Sequence, residues 1–227
     1  MEQTQSVASD KEIVFDRQES KYRLLKENFL SPAECQKFIE LIDAHGKVGD
    51  GYGGNPHPHT PTETFGGYSL DGLNNEKQQA IPGHHEALAT VLKVRKLLKS
   101  HFGLPFLWLD YAHLLFRIPT AGTEDEPVEY SHPWHFDNQS EGVKHRTHTA
   151  IIYLNDTFTG GHTCFQEADF GPYRQVAPSP GTLLGFDATK NDHAVTKLTS
   201  GKRYTMIMWF STHWKIFPRH RKTFKPL

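Results

Sequence analysis

A chain of 227 residues is within the usual range for one domain and is long enough to bury a substantial core. The hydrophobic fraction of 37% and the aromatic fraction of 12% exclude a disordered or fibrous chain. The 25 Lys and Arg residues nearly cancel the 26 Asp and Glu residues, so the global charge gives no reason to expect nucleic acid as a partner.

The cysteines and the N-terminal residues bear on the compartment. Cys35 and Cys164 form no CxxC pair, which excludes a disulfide scaffold or a thiolate zinc site as the organising feature. Residues 1–20 are predicted to be a polar leader without the apolar core of a signal peptide. No apolar stretch approaches the roughly 20 residues that span a bilayer. The sequence therefore predicts a cytoplasmic protein without a membrane partner, built as a single domain over residues 21–227.

The first predicted elements are a short strand, Tyr22–Phe29, and the helix that follows it. Ser31 is a suitable N-cap, and Glu34 completes a capping box three residues later. Apolar side chains then recur with helical spacing at Cys35, Phe38, Ile39 and Ile42. Gly46 is the predicted end of this helix.

Two candidate lids and a second helix come next along the chain. The stretch from Gly49 to Asn75 is rich in Gly, Pro, Thr and His, and it is predicted to be a long loop. A helix is predicted over Glu86–His101, with Leu88, Val91, Leu92 and Leu98 on its apolar side and Arg95 extending outward from that side. The acidic segment Thr123–Tyr130 is the second candidate lid, although a solvated loop explains its charges at least as well.

Short segments rich in branched and aromatic residues dominate from Phe106 to Phe210. The predicted strands are Phe106–Ile118, Thr147–Leu154, His162–Gln166, Gly181–Phe186, His193–Lys197 and Tyr204–Phe210. Many short strands separated by turn residues favour a closed barrel or a double-sheet jelly roll. The predicted fold class is therefore mainly β with flanking helices, the two N-terminal helices packing outside the sheets.

The candidate chemistry centres on His135-Phe136-Asp137, with His193 further along the chain. Alternate residues of a strand point to the same side, so His135 and Asp137 can address one metal ion. His193 would complete a set of two histidines and one carboxylate, which leaves coordination positions open and is typical of non-haem Fe(II) oxygenases. The triplet alone is a weak signal, because a chain with 15 histidines produces such patterns by chance.

Arg203 fits a second requirement of such an enzyme, an anchor for an acidic cosubstrate. An arginine fork matches a carboxylate and can hold the remote end of 2-oxoglutarate. Leu198–Lys202 is predicted to be a hairpin turn that places Arg203 on a strand beside the strand of His193. Thr205 shares the strand face of Arg203 and can add a hydroxyl donor.

Several short motifs surround these residues in a fixed order. They are His135-Phe136-Asp137-Asn138, Tyr153-Leu154-Asn155-Asp156, Phe158-Thr159-Gly160-Gly161, His193-Ala194-Val195-Thr196, Gly201-Lys202-Arg203 and Trp209-Phe210. In content and spacing this run resembles the catalytic domain of 2-oxoglutarate-dependent prolyl hydroxylases, especially the prolyl 3-hydroxylase (leprecan-like) branch. The earlier run Leu30-Ser31-Pro32-Ala33-Glu34-Cys35 is similar to the start of many prolyl hydroxylase domains.

This resemblance implies a double-stranded β-helix, a jelly-roll or cupin-like core. It implies three iron ligands and one 2-oxoglutarate ligand, namely His135, Asp137, His193 and Arg203. O2 is then the second cosubstrate, and ascorbate a supporting reductant. Tyr153 falls where relatives place a tyrosine near the cosubstrate, but an ordinary core tyrosine is the competing interpretation. Arg146 and Asn138 are candidate substrate residues, and a solvated charge is the competing interpretation of Arg146.

The expected activity is hydroxylation of an unactivated C–H bond in a small amino or imino acid, or in another biosynthetic intermediate. A prolyl hydroxylase acting on a peptide or protein is the alternative. Asp137 stands where related halogenases have a small residue, which favours hydroxylation. Outside this class, a zinc deaminase would need a Pro-Cys-x-x-Cys run that the sequence lacks. A non-catalytic, metal-binding jelly-roll protein remains a further alternative.

Overall fold

The computed structural model describes residues 21–48, 62–70, 80–123, 127–166 and 174–223, and within these ranges the chain is mainly β, as predicted. Its strands are β1 (Arg23–Lys26), β2 (Lys47–Val48), β3 (Glu63–Ser69), β4 (Trp108–Pro119), β5 (Tyr130–His135), β6 (His148–Tyr153), β7 (Phe158–Thr159), β8 (Thr163–Phe165), β9 (Arg174–Val176), β10 (Leu183–Asp187), β11 (His193–Thr196), β12 (Ser200–Gly201) and β13 (Arg203–Ser211). Its α-helices are α1 (Pro32–His45), α2 (His84–His101) and α3 (Phe217–Thr223).

Two antiparallel sheets carry the functional part of the fold. The larger sheet has the strand order β1-β10-β6-β13-β4-β3-β2, and the smaller sheet has the order β5-β11-β8-β9. A two-stranded sheet pairs β7 with β12. Tyr153 of the larger sheet and Phe165 of the smaller sheet belong to one buried apolar cluster, so the two sheets pack face to face there.

Strand β13 shows why the two faces of the larger sheet differ. Its alternate apolar residues are buried in the main core, namely Tyr204, Met206, Met208 and Phe210. The residues between them line a cavity, namely Arg203, Thr205, Ile207 and Trp209. Because successive side chains of a strand point to opposite faces, one face of the sheet builds the core and the other builds the cavity.

Helices α1 and α2 supply the other half of the main core. The predicted capping box is present, because the backbone N–H of Ser31 donates to Glu34 Oε2 at 2.8 Å and the backbone N–H of Glu34 donates to Ser31 Oγ at 3.3 Å. The buried apolar residues of the two helices are Cys35, Phe38, Leu41, Ile42, Ala87, Val91, Val94 and Leu98. They share one apolar cluster with Leu114 and Met206 of the larger sheet. None of the helices within the described ranges is both long and apolar enough to cross a membrane.

The segment predicted to be one long loop, Gly49–Asn75, contains a strand. Strand β3 pairs with β2 on one side and with β4 on the other, so the prediction of an irregular lid is wrong at these residues. The rest of this segment, residues 49–61 and 71–75, lies outside the described residues. The predicted leader, 1–20, and the acidic residues 124–126 also lie outside them.

Candidate active site

His135, Asp137 and His193 lie close together at one end of the smaller sheet. One ligand atom from each residue lies within 4.8 Å of the others. Nε2 of His135 is 3.6 Å from Oδ1 of Asp137, and Nε2 of His193 is 3.8 Å from Oδ2 of Asp137. The two histidines are direct partners in the pairing of β5 with β11, which brings their ring centroids to 4.2 Å. The pairing of distant strands thus assembles the predicted triad.

The backbone conformation that places Asp137 beside His135 differs from the predicted one. Strand β5 ends at His135, and Asp137 lies in the turn that follows. The alternation of side chains along a continuous strand therefore does not explain the approach of Asp137 to His135. The turn, in which the backbone N–H of Gln139 donates to the carbonyl of Phe136 at 3.1 Å, brings the carboxylate back beside the imidazole.

Hydrogen bonds orient all three side chains. Nδ1 of His135 lies 2.8 Å from the carbonyl oxygen of Pro133, and Nδ1 of His193 lies 3.2 Å from that of Asn191. A carbonyl only accepts, so each Nδ1 carries a proton, and in the neutral imidazole Nε2 then keeps its lone pair. Thr149, on β6, donates its hydroxyl proton to Oδ2 of Asp137. Outer partners of this kind fix the orientation of metal ligands in proteins.

The electrostatic state of the triad also suits a metal. Burial alone would raise the pKa of Asp137, but electrostatic interaction with the imidazoles of His193 and His135 and the hydrogen bonds of the carboxylate hold this pKa below its ordinary value. Burial lowers the pKa of His193 to about 4, although Asp137 opposes this shift. At neutral pH the site therefore offers an ionised carboxylate and a neutral His193 imidazole, which are the forms that bind metal ions.

Arg203 is buried in the wall of the same cavity. Its side chain is among the lining residues, and its Nε–H has no hydrogen-bond partner among the residues that the structure describes. Gly161 makes room for this side chain, because a Cβ at that position would lie 2.7 Å from Cδ of Arg203. A buried guanidinium that lines a cavity and has an unused donor is a suitable partner for a carboxylate.

The two residues predicted to flank Arg203 have different positions. Thr205 lines the cavity two residues further along β13, as the strand alternation predicts. Tyr153 is fully buried and is not among the lining residues. Its ring centroid lies 5.6 Å from the Arg203 guanidinium, and its hydroxyl bonds the hydroxyl of Thr163 at 2.8 Å. Tyr153 therefore packs behind Arg203.

Arg203 does not lie on a strand beside that of His193, contrary to the prediction. Strand β11 belongs to the smaller sheet, whereas β13 lies between β6 and β4 in the larger sheet. The segment between them, which includes β12, crosses from one sheet to the other. The guanidinium therefore faces the cavity from the sheet opposite the two histidines.

The cavity between the sheets has a volume of about 690 Å³ and two chemically distinct parts. Its larger-sheet wall is built from paired residues of β13 and β4: Arg203 with Arg117, Thr205 with Leu115, Ile207 with His113, and Trp209 with Tyr111. The wall therefore runs from a pair of arginines at one end to a pair of aromatic rings at the other. The rings of Tyr111 and Trp209 are stacked, with centroids 5.9 Å apart.

Of the two predicted substrate residues, Arg146 lines the cavity and Asn138 does not. The guanidinium of Arg146 lies 4.4 Å from the ring centroid of Trp209, and its Nε–H donates to Oδ2 of Asp110 at 2.9 Å. A solvated surface charge is therefore a poor description of Arg146. After Asp137 the cavity wall continues with Gln139, because the turn directs that residue to the cavity in place of Asn138.

Several residues of the site were not predicted from the sequence. They are Thr149, which bonds Asp137, Asp110, which bonds Arg146, and Arg117 with Glu63, which form an ion pair at the arginine end. Arg117 lies on the same face of the apolar strand β4 as His113, and this alternation was the signal available for it, whereas Asp110 is out of phase with both and had no such signal. Their partners depend on strand register, which that alternation does not specify.

Comparison with known proteins identifies the class. Residues 127–211 match the family model described as the 2OG-Fe(II) oxygenase superfamily. Prolyl 3-hydroxylase 1 of Rattus norvegicus is 32% identical over 216 residues, which cover 87% of this chain and 29% of that protein. Prolyl 3-hydroxylase 2 of Homo sapiens is 30% identical over 207 residues, which cover 83% of this chain and 29% of that protein. The chain thus spans about 29% of the length of these curated relatives.

Solved structures of prolyl hydroxylases share the fold. A prolyl-4-hydroxylase of Pseudomonas putida superimposes with a TM-score of 0.57 at 17% identity, covering 84% of this chain and 92% of that chain. A prolyl hydroxylase of Trichoplax adhaerens, solved with a peptide fragment of the hypoxia inducible factor oxygen degradation domain, gives a TM-score of 0.57 at 16% identity. That superposition covers 84% of each chain.

The match of residues 127–211 identifies a 2OG-Fe(II) oxygenase domain in this chain, and the fold and the His-Asp-His triad agree with that match. Within that class, its similarity is to the prolyl hydroxylases, and among curated proteins to prolyl 3-hydroxylases 1 and 2. The resemblance noted in the sequence is thereby confirmed.

Proposed function

We propose that this chain hydroxylates prolyl residues of a peptide or protein. The observation that carries the proposal is that the triad and the buried guanidinium of Arg203 belong to one cavity between the sheets. The relatives support the substrate, since the curated ones are named prolyl 3-hydroxylases and the Trichoplax enzyme was solved with a peptide. The small amino or imino acid expected from the sequence has no such support, and the alternative is therefore preferred.

The residues present fit the iron and the cosubstrate of this class. Two imidazole Nε2 atoms and an ionised carboxylate are the donors of non-haem Fe(II) sites, and we assign this role to His135, Asp137 and His193. The unused Nε–H of buried Arg203 fits the remote carboxylate of 2-oxoglutarate. When bound, the iron and 2-oxoglutarate supply the activation of O2 that delivers one oxygen atom to a C–H bond.

The protein's own contribution is to position the reactants and exclude water. Thr205 offers a hydroxyl beside Arg203, and the ring of Tyr153 supports the guanidinium from behind. At the aromatic end, Trp209 offers an apolar surface to a pyrrolidine ring, and Arg146 offers N–H donors to a peptide carbonyl. This division of the cavity favours a substrate that has both a ring and a backbone.

The test is a screen for succinate release over proline-containing peptides and free amino acids, with Fe(II), 2-oxoglutarate and ascorbate supplied. We expect peptide-dependent succinate and the gain of one oxygen atom on proline, measured by mass spectrometry. His135→Ala, Asp137→Ala and His193→Ala should each reduce turnover to background, because each removes one of three protein ligands. His213→Ala, at an exposed histidine outside the cavity lining, is the matched control and should retain turnover.

Two outcomes would contradict the proposal. Succinate release with a free amino acid, but with none of the peptides, would show that the substrate is a small molecule and not a peptide. Unchanged turnover in all three triad variants would refute the assignment of these residues as iron ligands.

We also propose that residues 21–227 form a single oxygenase domain. The sharing of one cavity by the two sheets, and of one core by the larger sheet and both N-terminal helices, supports this division. The cytoplasmic location expected from the sequence stays a prediction.

A further inference from the structure

The arginine end of the cavity contains a second guanidinium. Arg117 on β4 is the direct partner of Arg203 on β13, and both residues line the cavity. Side chains of directly opposed residues in antiparallel strands lie on the same face, with Cβ atoms about 4.5–5.5 Å apart. Arg117 and Arg203 are therefore neighbours on one face of the sheet.

Glu63 holds Arg117 in place from the neighbouring strand. Nη1 of Arg117 donates to Oε2 of Glu63 at 2.8 Å, and the Glu63 side chain is fully buried. The ring centroid of Phe65, the register partner of Arg117 on β3, lies 5.7 Å from the guanidinium. An arginine carries five N–H donors in a rigid fork, so the bond to Glu63 leaves further donors to face the cavity.

The charges at this end match one carboxylate ligand. Arg203 and Arg117 carry two positive charges, and Glu63 balances one of them. Oε1 of Glu63 has no hydrogen-bond partner in the part of the chain that the structure describes, so the carboxylate accepts from Arg117 through Oε2 alone. One positive charge remains uncompensated in a buried setting, where a monovalent anionic group is stabilised strongly.

We propose that Arg117, positioned by Glu63, is a second ligand of the remote carboxylate of 2-oxoglutarate. Together with Arg203 it makes the cavity selective for keto acids that carry a second carboxylate. This inference rests on the proposed assignment of Arg203 to the cosubstrate. It adds a residue on β4 to that subsite and gives the buried Glu63 a positioning role.

The test measures cosubstrate binding without turnover. The 227-residue chain is loaded with Fe(II) without oxygen and titrated with 2-oxoglutarate or with 2-oxobutyrate, which lacks the remote carboxylate. The visible charge-transfer absorption of the iron–keto acid complex reports binding. We expect Arg117→Met to weaken 2-oxoglutarate binding about tenfold or more, as befits a lost charge-assisted hydrogen bond, and to leave 2-oxobutyrate binding unchanged.

Two further variants control for folding. Arg117→Met leaves Glu63 as an unpaired buried charge, which destabilises proteins. The double variant Arg117→Met with Glu63→Gln removes both charges and should show the same selective loss in a folded protein. Glu63→Gln alone keeps the guanidinium and an oxygen that accepts from it, and it should bind 2-oxoglutarate at least as tightly as the wild type.

The outcomes separate this inference from the proposed function. Arg203→Met should lose 2-oxoglutarate binding selectively; if it does not, the assignment of Arg203 fails and the inference fails with it. If Arg203→Met loses binding while the Arg117 variants bind like the wild type, only the inference is overturned. An equal loss for both keto acids in the double variant would also overturn it, since a distorted site weakens both.

Discussion

Thr149 connects the larger sheet to the triad by a hydrogen bond. Its hydroxyl donates to Oδ2 of Asp137, across from the small-sheet strands that carry His135 and His193. This bond fixes the carboxylate orientation and helps to keep the pKa of Asp137 low against the opposing effect of burial. Thr149 therefore controls the geometry of the metal site without being one of its ligands.

Thr149→Val removes this hydroxyl and keeps the shape of the side chain. We expect the affinity for Fe(II) to fall by roughly 10–100-fold, the usual effect of losing an outer partner of a metal ligand. Anaerobic calorimetry of Fe(II) binding measures the change. Thr90→Val is the matched control, because the Thr90 hydroxyl donates to the carbonyl of Glu86 within α2. Equal Fe(II) affinities for the two variants would show that the bond to Asp137 has no role in binding.

At the residue scale, the chemistry of the site was predictable and its support was not. The triad and Arg203 occur in short motifs, and the structure brings all four side chains to one cavity. Arg117 was missed because its importance arises only when β4 pairs with β13 in one particular register. Asn138 does not line the cavity, because a turn, and not a strand, follows His135.

At the scale of elements, the missed strand β3 has a physical explanation. Its sequence contains Gly66 and Gly67, which are typical of loops. The structure uses these glycines for close approach, because a Cβ at Gly66 would lie 2.7 Å from the ring of Phe116 and a Cβ at Gly67 would lie 2.3 Å from the carbonyl oxygen of Leu114. The absence of side chains is what lets β3 pair closely with β4, and sequence alone does not separate these two uses of glycine.

Helix α2 was predicted correctly as an element, and its buried face was predicted in part, since Val91 and Leu98 are buried as expected. Val94 is fully buried whereas Leu92 is 42% exposed, so the helix is rotated relative to the predicted apolar side. Arg95 was expected to extend outward. Instead, its Nε–H donates to the carbonyl of Leu107, and its guanidinium lies 5.4 Å from the ring centroid of Trp108. The start of β4 thus provides an acceptor and an aromatic surface, and these set the rotation of the helix.

Helix α3 is attached to β4 through a buried histidine. The backbone N–H of Leu109 donates to Nδ1 of His220 at 3.2 Å, and the ring of Trp108 lies beside the imidazole. Burial, aided by Arg95, lowers the pKa of His220 to about 4. An unfolded histidine takes up a proton near pH 6.5. Between these two values the unfolded chain binds more protons than the folded one, so the contribution of His220 to stability is lost as the pH falls.

His220→Asn should remove this pH dependence, because the amide oxygen still accepts from Leu109 but does not titrate. We expect the wild type to lose on the order of 2–3 kcal/mol more unfolding free energy than the variant between pH 6.5 and pH 4. Urea unfolding at a series of pH values measures the difference. His213→Asn, at an exposed position, should follow the wild-type curve. Parallel curves for the wild type and His220→Asn would show that α3 docking is insensitive to this proton.

At the scale of the whole molecule, the two sheets supply complementary halves of one site. The smaller sheet carries His135 and His193, and the turn after β5 carries Asp137. The larger sheet carries Arg203 on the opposite wall of the cavity. The apolar cluster around Tyr153 and Phe165 joins the sheets on their inner faces, whereas the arginine and metal ends have polar walls. The fold class was predictable from the many short strands. The distribution of the site over the two sheets was not, because it depends on which strands pair, and the number of strands does not reveal the pairing.

Because the ligands would bridge the two sheets, their binding should stabilise the whole fold. A ligand at a hundred times its dissociation constant stabilises the native state by about 2.7 kcal/mol. For a chain of this size that corresponds to a rise in Tm of roughly 5–10 °C. We expect such a rise when Fe(II) is added without oxygen, and a second rise when 2-oxoglutarate follows.

Two variants resolve the contributions of the two sheets to this stabilisation. Asp137→Asn should lose both rises, because it removes the anionic ligand on which Fe(II) and then the keto acid depend. Arg203→Met should keep the first rise and lose the second, because it leaves the triad intact. Differential scanning fluorimetry with anaerobic Fe(II) makes the comparison. If 2-oxoglutarate stabilised Arg203→Met as much as the wild type, the cosubstrate would not bridge the sheets, and the larger sheet would serve only as a wall of the cavity.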